Sequence, residues 1–302
     1  MLPAFPNFKK IELSDRKIIE QFTQQFPPYN DFEFVSLWTY NMGEKNAFST
    51  IYGNLVIKIH DFITGDFFYS FLGTNRIKET IAALLEKSKE DYLGDQLKLI
   101  PEVNIKSSPE VENYFSIKED RDSFDYILSV DEIVDLKGGK YHYRRKNISR
   151  FNRHFPDHSI ETLDLSKEET RQNIKELFFL WEQQKEKKRN ETEIELTAIE
   201  RLFDLVDVHN IMGLGIYIQN KLIGFSIYHT VQDNYAIFSF AKGDTSYKAI
   251  YEYLNHEVAK HLKTLGTVYI NYEQDLGIPE LREAKMSWGP VYFLKKYTIE
   301  RL

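Results

Sequence analysis

The sequence predicts an α/β protein of two tandem units, each a mixed, mainly antiparallel sheet flanked by helices. Three observations predict it. In the C-terminal half, paired apolar runs are followed by a segment of helical period and then by another apolar run. The N-terminal half shows the same order. The length of 302 residues suits two domains of about 150 residues, each large enough to bury a core.

The C-terminal half is the clearer. Met212 to His229 holds two apolar runs around the turn-prone Gln219-Asn220-Lys221, which reads as a hairpin, and Tyr235 to Phe240 extends the sheet. Tyr251, Leu254, Val258 and Leu262 then recur at three- and four-residue spacing, the buried face of a helix. That helix should stop near Leu265-Gly266, because glycine accepts the left-handed cap. The strand Thr267 to Asn271, an acidic loop, a short helix and a last strand, Val291 to Tyr297, complete the half.

Earlier in the chain, Ile18 to Phe26 is helical in pattern and ends at Pro27-Pro28. Phe34 to Tyr40 is aromatic. Gly53 to Gly73 gives two strands around Thr64-Gly65-Asp66, Ile77 to Lys89 a helix with Ile81, Leu84 and Leu85 on one side, and Leu97 to Pro101 a strand. Asp125 to Leu128 reads as a strand leaving the first unit, so the expected domains are residues 1–126 and 127–302. Two long helices lie between. Glu168 to Lys188 should bury Ile174, Leu177, Phe178 and Trp181, and Leu196 to His209 should bury Ile199, Leu202, Phe203 and Val206, as structural elements without chemistry.

Composition narrows the function classes. A chain 42% hydrophobic and 28% charged is an ordinary folded one, and 22 Phe with 19 Tyr suit sheet cores filled by rings. Without cysteine there is no disulfide, thiolate nucleophile or cysteine-ligated zinc. His154 and His158 are separated by Pro156, and His256 and His261 point to different sides of their helix, so no metal is expected. The start, MLPAFPNFKK, has no apolar signal core and no spanning run follows, which predicts a cytoplasmic chain without a transmembrane segment. A net charge of −7 argues against a general nucleic-acid coat.

One segment departs from that acidity. Leu136 to His154 carries Lys137, Lys140, Arg144, Arg145, Lys146, Arg150 and Arg153 with no acid, interleaved with Tyr141, Tyr143, Ile148 and Phe151, and 144–151 can form a helix with one apolar side. Such a run is either a solvated face or a phosphate-binding surface. Among other candidates, Asp244 reads as a turn or cap residue and Lys285 as a solvated helix lysine when taken alone.

Together these residues carry a resemblance. Asn271, Glu273, Asp275, Leu276, Gly277, Ile278, Leu281, Arg282, Lys285 and Ser287 match an N-E/Q-D-L-G-I-x-x-L-R-x-x-K-x-S pattern. Leu136 to Phe151 matches an upstream basic pattern, and Lys242 and Asp244 a K-A/G-D step before a long helix. The chain in these respects resembles the phosphatidylglycerol lysyltransferase C-terminal domain family (DUF2156), from Phe32 to the end. Its element order is that of the acetyltransferase-like (GNAT) fold, here in tandem.

The resemblance implies transfer of an aminoacyl group from aminoacyl-tRNA to an amine or hydroxyl on a small-molecule, peptide or lipid head-group acceptor, with no required cofactor. By carry-over, Asp244 holds the α-ammonium and Lys285 faces the ester carbonyl or terminal ribose. Lys242, Ser239, Asn271, Glu273, Asp275 and Arg282 become substrate-binding, and Lys140, Arg144, Arg145, Lys146 and Arg150 tRNA-binding. Many members of the resembled family carry a His and a Glu in the strand before the Lys-x-Asp step where this chain has Ser239 and Ala241, which removes a candidate base and a candidate partner. Acyl-CoA, the usual donor in this fold, is less favoured: Ala241 to Lys248 offers one glycine and an aspartate where a phosphate cradle needs free N–H groups. A non-catalytic binding module is the third alternative.

Overall fold

The computed structural model describes residues 2–302 apart from 62, 63, 188 and 233, and leaves aside the side chains of 189–191. The expected ends of the Gly53 strand run and of the helix to Lys188 touch positions outside the described residues. Two compact units form, one of Met1–Asp125, Gln274–Arg282 and Phe293–Leu302, the other of Tyr126–Glu273 and Glu283–Tyr292. The expected division at 126/127 thus misses two C-terminal stretches that pack with the first unit.

In chain order the first part supplies β1 (Lys9–Lys10), α1 (Arg16–Thr23), α2 (Phe34–Thr39), β2 (Ala47–Ile51), β3 (Asn54–His60), β4 (Phe67–Leu72), α3 (Ile77–Glu90), β5 (Gln96–Pro101), α4 (Glu102–Lys106) and β6 (Phe115–Glu119). β1 to β4 form an antiparallel meander. Its turn at Tyr52-Gly53 has both residues at positive φ, the conformation of a tight hairpin. The aromatic stretch at Phe34 is a helix whose Phe34, Val35 and Leu37 are buried. A second sheet, β5-β14-β6, is centred on the C-terminal strand β14 (Lys296–Arg301). Ile299 of β14 joins Val56, Phe71, Ile81, Leu84, Leu97 and Ile100 in one core, which is why the chain end belongs to this unit.

A buried ion triad fastens the strand. Lys296 Nζ lies 2.8 Å from Asp125 Oδ1 and also pairs Asp31, and Asp125 accepts the Asn30 N–H at 3.0 Å. Nearby, Arg282 donates to both oxygens of Asp275 at 2.9 and 2.8 Å and to Asp122 at 2.5 Å.

The second part supplies β7 (Asp125–Ser129), α5 (Val130–Asp135), α6 (His142–His154), β8 (Ser159–Leu163), α7 (Glu168–Gln184), α8 (Arg189–Leu202), β9 (Ile211–Ile218), β10 (Lys221–Val231), β11 (Tyr235–Gly243), α9 (Ile250–Thr264), β12 (Tyr269–Asn271), α10 (Pro279–Met286) and β13 (Tyr292–Leu294). Its sheet runs β7-β12-β11-β10-β9-β8, antiparallel except where β11 meets β12. One face packs on α9 and α6 through Leu214, Tyr228, Phe238, Leu254, Val258, Ile148 and Phe151. α9 closes as expected: Gly266 takes φ +78° and the Thr267 N–H reaches the Leu262 carbonyl at 3.1 Å. Among the described residues no helix is long and apolar enough to cross a membrane.

Two helix expectations need correction. α8 ends at Leu202 and tightens into a 3-10 turn, Phe203–Leu205, which leaves Val206 half-buried. Trp181 is also half-buried, its ring lying between the buried Phe178 ring at 5.6 Å and the Lys242 ammonium at 4.1 Å.

Candidate functional site

The site of the second unit begins where β11 ends. β11 pairs β12 only over Tyr235–Ile237, so the rest of β11, with the loop after it, lies beyond that parallel ladder. Gly243 passes close under Ile250 of α9, where an added Cβ would lie 2.9 Å from the isoleucine side chain. The next residue, Asp244, is buried, and its main-chain N–H donates to the Ile223 carbonyl at 2.9 Å.

Asp244 is held by one oxygen. Its Oδ1 accepts the Ser246 N–H at 3.0 Å, the Ser246 hydroxyl at 2.6 Å and the Gln184 amide at 2.7 Å. No described residue donates to Oδ2. Burial alone would raise the carboxyl's pKa, yet the donors from Ser246 and Gln184 hold it below the usual carboxylate range. Gln184 also takes the Thr245 N–H at 2.7 Å and its hydroxyl at 2.8 Å through its own Oε1. The N–H groups of Thr245 and Ser246, which a phosphate cradle would leave free, are therefore already used.

Lys242, two residues earlier, points toward α7 and α8, where it is nearly buried. Its Nζ donates to Glu195 at 2.6 Å and lies over the rings of Trp181 and Phe178. Gly243 N–H reaches the Tyr251 hydroxyl at 3.3 Å, and burial pushes that phenol up to about 12. Ser239 sits 3.4 Å from Nδ1 of the buried His229.

Lys285 belongs to the same unit, on α10. It is buried, donates to the Tyr272 carbonyl and lies 5.0 Å from that ring. Tyr272 accepts from Asn255 at 2.8 Å and meets Phe238 of β11 edge-on at 5.5 Å. Lys285 is thus no solvated helix lysine.

The remaining expected residues divide. Asn271 is buried at the end of β12 and its Oδ1 accepts the Glu273 N–H at 2.8 Å, while Glu273 takes φ +57°. These two shape a turn. Asp275 and Arg282 pair with each other in the first unit, and Asp275 also accepts the Gly277 N–H at 2.9 Å and Arg121 at 3.2 Å. The D-L-G step is a clamp on the chain in that unit.

α6 and the turn before it present their cations unequally. Lys140 pairs Glu132 at 2.7 Å, Arg144 pairs Glu252 at 3.1 Å and stacks 4.2 Å from the Trp288 ring, and Arg145 donates to the Leu136 and Gly138 carbonyls. Those three brace the fold. Lys146, Arg150 and Arg153, at helical spacing on one side, are exposed and their side chains have no partner among the described residues, and Tyr143 beside them is 65% exposed.

Sequence reading missed Gln184, Trp181 and Glu195, having assigned α7 and α8 no chemistry. Gln184 follows Trp181 by three positions, one turn along the same face, so a polar residue succeeding the aromatic stripe was the available signal.

The model of the family described as phosphatidylglycerol lysyltransferase, C-terminal, matches residues 73–300. The chain belongs to that family. Among solved structures, a conserved protein of unknown function from Bacteroides thetaiotaomicron is 25% identical over the whole of both chains, with a TM-score of 0.85. The C-terminal domain of a putative lysylphosphatidylglycerol synthetase from Agrobacterium fabrum is 10% identical, with a TM-score of 0.64 over 96% of this chain and 92% of its own. The L-PGS structure from Bacillus licheniformis is 12% identical, with a TM-score of 0.64 over 100% of this chain and 94% of its own. No curated protein matches. The family is named for a lysyltransferase, and the residues its model matches contain the Lys242–Asp244 loop.

Proposed function

We propose that the second unit transfers an aminoacyl group from aminoacyl-tRNA to an amine or hydroxyl acceptor. The observation that carries this reading is Asp244: one oxygen is locked by three donors, and the other has no donor among the described residues. A buried carboxylate in that state favours an ammonium and disfavours phosphate. An aminoacyl group supplies an ammonium beside an activated ester, whereas the pyrophosphate of coenzyme A would meet a negative charge and occupied N–H groups. Lys285 would then face the ester side, and the exposed row Lys146, Arg150 and Arg153 would meet the phosphate backbone of the donor. Catalysis would come mainly from orienting donor and acceptor and from stabilising the oxyanion.

The test compares aminoacylated with deacylated tRNA in a filter-binding assay. Aminoacylated tRNA should bind more tightly, and Asp244→Asn should erase the difference. Equal affinities for the two forms, or measurable heat on titration with coenzyme A, would overturn the reading.

A further inference from the structure

We propose that Ser239 is an oriented hydrogen-bond donor to the acyl carbonyl oxygen, with His229 as the positioning residue behind it. This rests on the acyl-transfer reading. Between β10 and β11 the register slips, so that Ile227 faces Phe240 while Tyr228 faces Phe238. Ser239 is the extra residue of that bulge, and bulges re-aim side chains beside sites. It also lies beyond the Tyr235–Ile237 ladder with β12, and it is half-buried, so a ligand can reach it.

The ring behind it decides how the hydroxyl points. His229 is fully buried, its Nδ1 is 3.4 Å from Ser239 Oγ, and the His209 ring meets it edge-on at 5.2 Å. Its Nε2 is enclosed with no partner among the described residues. A buried N–H without an acceptor costs about 1–3 kcal/mol, and such orphans are rarer than under-used acceptors. The hydrogen of the neutral ring therefore belongs on Nδ1, and burial keeps the ring neutral by holding its pKa well below the ordinary histidine value.

Nδ1–H then donates to Ser239 Oγ, and the serine hydrogen turns away from the ring. In transfer, the acceptor nitrogen or oxygen bonds to the acyl carbon as the carbonyl becomes an oxyanion. The ester C–O bond then breaks, and the acceptor's proton passes to the leaving oxygen. Ser239 forms no covalent bond and keeps its hydrogen, donating more strongly to the oxyanion than to the ground-state carbonyl.

Two measurements test this. In protein labelled with ¹⁵N-histidine, two-bond ¹H–¹⁵N spectra should show His229 with hydrogen on Nδ1 and a bare Nε2; hydrogen on Nε2 overturns the proposal whether or not transfer occurs. With aminoacyl-tRNA as donor and glycinamide as acceptor, Ser239→Ala should lower kcat by roughly 10²–10³-fold with KM within about twofold. Ser239→Thr should recover most of it. His229→Asn, which keeps an N–H donor, should exceed His229→Leu, and the tautomer measurement on the unaltered protein stands if either variant fails to fold. A kcat unchanged in Ser239→Ala overturns the proposal. Absence of any transfer with Nδ1–H present removes the transferase reading, and the oxyanion role with it.

Discussion

The turn that follows the last meander strand of the first unit and its counterpart after β11 solve the same problem with different chemistry. After β4, two neutral amides close the turn. Asn54 accepts the Asn75 N–H at 3.0 Å and donates to the Asn75 carbonyl and to Thr80, while Asn104 accepts from Gly73 at 3.4 Å and donates to the Phe71 carbonyl. After β11, a carboxylate and Gln184 take that part, and one carboxylate oxygen has no donor among the described residues. Complete neutral pairing makes a structural pin. Incomplete charged pairing leaves a carboxylate oxygen available to a ligand, the feature on which the proposed function rests.

The sharpest break in that contrast comes from the first unit's own charges. Lys296→Met should destabilise the protein by about 3–5 kcal/mol, because it strands the carboxylates of Asp31 and Asp125 in the interior. Urea unfolding of a purified variant reads this, and a destabilisation below about 1 kcal/mol would show that the triad is not buried as described.

Next, Asp244→Asn should lower aminoacyl transfer by about 100-fold, some 2.7 kcal/mol, with little change in stability. Asn54→Ala should do the reverse, costing about 1–3 kcal/mol of stability through its orphaned partners while kcat per folded molecule stays level. Equal falls in activity in both variants would erase the distinction between the structural pin and the available carboxylate.

A smaller effect is expected with pH. His229 has a folded pKa well below its unfolded value, so the unfolded chain binds the extra proton first. Its contribution is therefore intact above about pH 6.5 and is lost as pH falls toward the folded pKa, at about 1.4 kcal/mol per pH unit. Stability curves of the parent protein and His229→Leu should converge on acidification. Smallest per residue is the α6 row. Replacing Lys146, Arg150 and Arg153 with Ala should reduce the slope of log affinity against log salt by roughly 0.9 for each phosphate no longer neutralised, whereas Lys140→Ala should leave that slope unchanged.

Local pattern carried much of this. The hairpin at Gln219-Asn220, both at positive φ, the period of α9 and its glycine cap were readable because each depends on neighbours in the chain. The two-unit order and the family resemblance also followed from local text. What stayed hidden was pairing over distance. Seven cations between 137 and 153 look alike in sequence, yet Arg144 meets Glu252 and Trp288, and Arg145 caps the carbonyls of a turn.

By itself, then, the sequence determined an acyltransferase-like α/β architecture in two units, and the positions of an acid, a lysine and a basic helix. Tertiary structure alone decided that β14 completes the first unit's sheet, that α7 reaches Asp244 with Gln184, and that Arg282 and Asp275 neutralise each other. The physical reason is range. Helix and strand periods are fixed within a few residues, but which charge is desolvated, paired or left open is set by whatever the folded chain brings within a few ångströms of it.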